Sequence, residues 1–107
     1  MEPTQPNQLM NLFLDFGEEM ISSGGEISRV ETSLSYLCRA FGALETNVFV
    51  ITSSILLTVR FQDGQEFTRS RRITKSGDTD YEKLRLLSDL SRACAEKAPG
   101  GYPPDAF

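Results

Sequence analysis

The sequence predicts a two-layer α+β sandwich with elements in the order α-α-β-β-β-α, a three-stranded antiparallel meander packed against helices. Three observations carry this expectation. Apolar residues recur at helical spacing on both sides of Ser23-Gly24-Gly25. A β-branched run and an Asp63-Gly64 turn signal follow, and a leucine-periodic segment opens after Thr79-Asp80-Tyr81-Glu82. The 107 residues suffice for one core and not for two. Residues 1–7 are expected as an N-terminal tail, 8–98 as a single α+β domain, and 99–107 as a Pro/Gly-rich linker.

The first helix rests on Leu9, Leu12, Phe13, Phe16 and Met20, which fall within a sector of roughly 100° at helical spacing. Gly17 borders that stripe. A helix-interior glycine costs about 1 kcal/mol relative to alanine, so a close approach by another backbone is expected there. Ser22 to Gly25 end the helix, because glycine supplies the backbone freedom that a stop and restart require. The second helix is expected from Glu26 to Phe41, with Ile27, Val30, Leu34, Leu37, Cys38 and Phe41 as its apolar stripe and Gly42 as its stop.

Thr46 to Thr52 is dense in β-branched residues and reads as a strand. Ser53-Ser54 give a weak turn signal before a second strand from Ile55 to Phe61. Asp63-Gly64 is the strongest hairpin signal, with Gln65 to Ile73 returning. As a two-residue turn it sets Phe61 opposite Glu66, Val59 opposite Thr68 and Leu57 opposite Ser70. Arg60, Arg69 and Arg71 then share one face with Leu56 and Thr58; slippage by one residue moves the two strand-three arginines to the other face. Thr79-Asp80-Tyr81-Glu82 has the capping-box pattern and opens a third helix with Tyr81, Leu84, Leu87, Leu90 and Cys94 on one face.

Composition narrows the function. A net charge of −4 argues against a general nucleic-acid binder, since phosphate affinity requires a basic surface. The chain has no histidine, so a histidine-based nucleophile triad is excluded, and no carboxylate spacing matches a metal site. No cofactor motif is present; Gly24-Gly25 before a helix is a weak phosphate signal by itself. Cys38 and Cys94 fall at apolar helical positions and read as buried thiols. No apolar run approaches the roughly 20 residues of a membrane helix, and no signal peptide is visible, so the chain is expected to be soluble and cytoplasmic.

Two constellations are candidates for binding or chemistry. Glu26 and Glu31 lie one at each margin of the second helix's apolar stripe, with Arg29 three residues after Glu26. Either they form a solvated first turn with a surface ion pair, or they flank a groove in which Arg29 holds an anion. The second constellation is the hairpin trio Arg60, Arg69 and Arg71, read either as an anion-binding surface or as a solvated outer face.

Leu14-Asp15-Phe16-Gly17-Glu18, Ser23-Gly24-Gly25-Glu26, Arg29-Val30-Glu31, Val48-Phe49-Val50, Thr52 and Leu87-Ser88-Asp89-Leu90-Ser91-Arg92 resemble the soluble N-terminal region of the threonine/serine exporter family. The likeness covers residues 9–95, and its most specific part is the Ser-Gly-x-Glu…Arg-Val-Glu element. Gly24, Glu26, Arg29, Glu31 and Thr52 match the family pattern. Gly25 stands where alanine is usual, a mild change, and Ser53 follows Thr52 where a less polar turn is usual. The resemblance implies a cytoplasmic domain preceding about five membrane helices, in a carrier exporting threonine and serine on the proton gradient. Some members are split between two proteins, some are associated with export of small dicarboxylates such as succinate, and the soluble region resembles a hydrolase.

Three functional readings follow. The first is a cytoplasmic domain that binds an amino-acid or dicarboxylate substrate or gates its export beside a membrane-embedded region or subunit. In it Arg29 holds a carboxylate and Glu26 or Glu31 an ammonium, with Gly24 and Thr52 at the site. The second is a small hydrolase acting on amide-containing peptides or amino-acid conjugates, with Glu26 or Glu31 as general base and Arg29 or Thr52 steadying the oxyanion. The third is an assembly module whose sheet pairs with another copy, giving a homo-oligomer.

Overall fold

The computed structural model describes residues 5–51, 53–74 and 79–96. The elements run α1 Gln5–Ser22, α2 Ile27–Ala40, β1 Ala43–Ile51, β2 Ser54–Phe61, β3 Glu66–Arg72 and α3 Tyr81–Glu96, in the expected order. The strands form one antiparallel sheet, β1-β2-β3. Helices α1 and α2 cover one of its faces, and α3 packs on α2 and α1. Phe13, Met20, Val30, Leu34, Ile55, Leu57 and Val59 are buried in the core between them.

Several elements differ from the expectation in ways that physics explains. Helix α1 starts at Gln5, inside the expected tail, because Pro6 in the first turn lacks an N–H that the helix would not use. Its buried face is Met10, Phe13, Leu14, Phe16 and Met20, while Leu12 is exposed. Gly17 is indeed closely approached, though by side chains: a Cβ there would stand 2.9 Å from Ile55 Cδ1 and 3.1 Å from Leu34 Cδ1. On α2, Ile27 and Phe41 at the ends of the expected stripe are exposed, and Ser33 and Tyr36 are buried instead. Helix α3 is capped by Asp80, whose Oδ1 accepts from Lys83 N–H at 3.0 Å, in place of the expected Thr79. It buries Leu84, Ser88, Ser91 and Ala95; Tyr81 and Leu90 face outward, so the expected leucine face is rotated toward small residues that let α2 approach.

The hairpin has a three-residue loop. Gly64 N–H bonds the Phe61 carbonyl at 3.0 Å, Phe61 N–H bonds the Gln65 carbonyl at 2.9 Å, and Gly64 has φ +89°. This is a type I turn followed by a left-handed residue. The loop is one residue longer than expected, and it shifts the register so that Leu57 faces Arg69, Ile55 faces Arg71 and Arg60 faces Glu66. Arg69 and Arg71 therefore project to the core side of the sheet, and Arg60 to the opposite side. The expected trio does not share a face. Arg71 bonds Asp15 and, at 3.5 Å, Glu18 on α1; Arg69 donates to Asn7 Oδ1 at 2.9 Å. Arg60 pairs with Glu45 at 2.6 Å on the outer face.

Candidate functional site

Residues 20–25 close α1 with two paired bonds: Gly25 N–H to the Met20 carbonyl at 2.9 Å and Gly24 N–H to the Ile21 carbonyl at 3.0 Å. This double closure requires a left-handed residue at its penultimate position, and Gly24 supplies φ +90°. The same loop holds α3. Ser23 accepts from Asp80 N–H at 3.0 Å, and a Cβ on Gly24 would stand 2.9 Å from Thr79 Oγ1. Gly25 is enclosed by Met20 O at 2.9 Å, Leu84 Cδ2 and Val30 Cγ2, so alanine there is no mild exchange in this chain. The glycines thus explain how the junction between α1 and α2 seats the start of α3.

Glu26 is the N-cap of α2, in extended conformation and without a side-chain cap bond. Its side chain is exposed, and Glu31 is half-buried. Arg29 turns toward α3, where its Nε donates to Ser88 Oγ at 3.2 Å. On ideal helical spacing Glu31 lies about 160° around α2 from Arg29. Thr52 lies outside the described residues. Gly24 belongs to the loop, and Arg60, Arg69 and Arg71 belong to the sheet contacts given above.

Arg29 instead joins a cleft between α2 and α3 of about 240 Å³, lined by Ser28, Arg29, Thr32, Ser33, Tyr36, Ser88, Ser91 and Arg92. An apolar cavity of about 150 Å³ takes benzene, so this one has room for an amino acid or a short dicarboxylate. Among the described residues its lining carries two guanidiniums, a phenol and aliphatic hydroxyls, and no carboxylate. Arg92 pairs with Asp89 at 3.6 Å, with both side chains about half exposed. Among the described residues the terminal amines of Arg29 have no partner, which leaves a planar donor pair beside the cleft. The floor is fixed: Ser33, Tyr36, Ser88 and Ser91 are buried, and Ser91 Oγ donates to the Ser88 carbonyl at 2.8 Å.

Neither Glu26 nor Glu31 lines this cleft. Among the described residues, Arg29 is the only one expected at the site that the cleft contains. Tyr36 was not singled out in the sequence, and Ser88, Ser91 and Arg92 entered only as part of the resemblance and not as site residues. The signal beside the apolar stripes is the recurrence of polar residues at 29, 32, 33 and 36 on α2 and at 88, 91 and 92 on α3.

The fold and site define a small α+β domain with a cationic, hydroxyl-lined cleft between two helices. Residues 11–101 match the family described as "putative threonine/serine exporter" (ThrE), and the chain belongs to that family. No curated protein and no solved structure matches it. The segments that carried the resemblance, Arg29-Val30-Glu31 and Ser88 to Arg92, meet across the cleft through the Arg29–Ser88 bond. Among the described residues no helix is long and apolar enough to cross a membrane.

Proposed function

We propose that this domain lies on the cytoplasmic side of a threonine/serine exporter, beside its membrane-embedded region or partner subunit, and binds the carboxylate of the transported solute in the α2/α3 cleft. The observation that carries this reading is the pairing of Arg29 and Arg92 around one small hydroxyl-lined space. A carboxylate has two acceptor oxygens, and a guanidinium meets both in a fixed fork. The serines and Tyr36 offer neutral partners to the rest of a small polar ligand: a hydroxyl, an ammonium or a second carboxylate end.

Binding there bridges α2 and α3, and so couples occupancy to the packing of α3 on the rest of the domain. That is the proposed route to gating: a ligand that prefers the bridged arrangement shifts the population toward it by its differential affinity. Titration calorimetry with threonine, serine and succinate tests the reading. Heat is expected for at least one of them, with loss of about tenfold or more in affinity on Arg29→Ala or Arg92→Ala, as removal of a charged hydrogen bond implies. No heat from any of the three, or heat unaffected by both substitutions, overturns it.

A further inference from the structure

The sheet face turned away from the helices carries an apolar patch: Phe49, Ile51 and Leu56 are 62%, 54% and 43% exposed, and Phe49 pairs directly with Leu56. We propose that this face packs against the same face of a second copy of the chain, about a two-fold axis running across the strands. The distribution of charge selects that partner and that axis. Arg72 stands at one end of the face, in register with Ser54 and Ile51. The other end carries Glu45 and Glu66 around Arg60 and is net negative.

A two-fold across the strands exchanges the ends, so each Arg72 meets the other copy's Glu66 in the same strand column. It also brings both Phe49–Leu56 pairs to the centre. A two-fold along the strands would instead oppose Glu45 to Glu66, like charge on like charge. Sheets pack face to face about 10 Å apart with their strands within about 30° of each other, which lets the central side chains interdigitate. A two-fold interface of this kind is self-complementary. The face is three strands wide, at the small end of interface sizes, so the dimer dissociates on dilution.

Sedimentation equilibrium of the 107-residue chain tests this. The average mass rises toward twice 11.9 kDa as concentration increases through the micromolar range. Phe49→Asp, at an exposed position, returns the chain to monomer with an unchanged circular dichroism spectrum. Arg72→Glu and Glu66→Arg each weaken association by about tenfold, and the double exchange restores it. A mass that stays monomeric up to about 1 mM overturns the proposal, as it would if the face docks on a membrane region instead. Association unaffected by Phe49→Asp, or unrestored by the charge exchange, overturns it as well.

Discussion

Arg29 Nε on α2 donates to Ser88 Oγ on α3 at 3.2 Å, a bond between two residues that line the cleft and lie 59 residues apart in sequence. The bond fixes the plane of the guanidinium and so the direction of its remaining donors. Lysine at 29 keeps the charge but has no planar fork with which to hold Ser88 and a carboxylate together. Arg29→Lys therefore lowers carboxylate affinity by about tenfold while thermal stability changes by no more than about 1 kcal/mol, as is typical of one hydrogen bond. Wild-type affinity in this variant would show that charge alone is recognised.

Gly24 and Gly25 are structural residues of the α1–α2 junction. Gly24→Ala meets both a left-handed backbone, at roughly 1–2 kcal/mol, and Thr79 at 2.9 Å. Gly25→Ala meets the Met20 carbonyl, which is backbone and cannot move aside cheaply. Each substitution lowers stability by about 2 kcal/mol, seen as a lower urea midpoint with an unchanged slope. An unshifted midpoint would contradict the loop geometry.

Arg71 reports the hairpin register. On the core side of the sheet it reaches Glu18, whose side chain is largely buried, and Asp15, which is exposed. Arg71→Ala costs about 1 kcal/mol after allowance for solvent screening, and a double-mutant cycle with Glu18→Gln gives a coupling of some tenths of a kcal/mol. In the two-residue-turn register Arg71 would point away from α1, and the coupling would vanish.

Burial pushes the Cys38 thiol far above its ordinary value of 9.0, against the opposing influence of a hydrogen bond with Thr46. The folded chain therefore keeps a proton that the unfolded chain releases. Stability from this group is complete below about pH 9 and falls above it by about 1.4 kcal/mol per pH unit. Thermal unfolding followed between about pH 8 and pH 11 shows this slope in the wild type and a shallower one in Cys38→Ala. Equal slopes would mean that the thiol is accessible to water in the folded state.

Element order was legible because each element carries its own period: 3.6 in the helices, β-branched density in β1, and an Asp-Gly turn between β2 and β3. Which face is buried was less legible. Leu90 and Ile27 are as apolar as Leu84 and Val30, and only the packing of α3 on α2 through Ser88, Ser91 and Ala95 decides between them. The hairpin register turned on whether Asp63-Gly64 made the whole loop or part of it, a difference of one residue that reversed Arg69 and Arg71. Arg29 was legible as a candidate from its place in the Arg-Val-Glu element, and it lines the cleft. Its partner Arg92 was not, because no local pattern relates two helices separated by the whole sheet.

The central claim is that small carboxylates bind between α2 and α3, and amide and side-chain NMR of the labelled chain during titration with threonine, serine or succinate tests it most directly. Saturable shifts are expected at Arg29, Thr32, Tyr36, Ser88 and Arg92, with β3 and the hairpin unmoved. Shifts centred on Arg69 and Arg71, or no saturable shift with any of the three, would contradict the account.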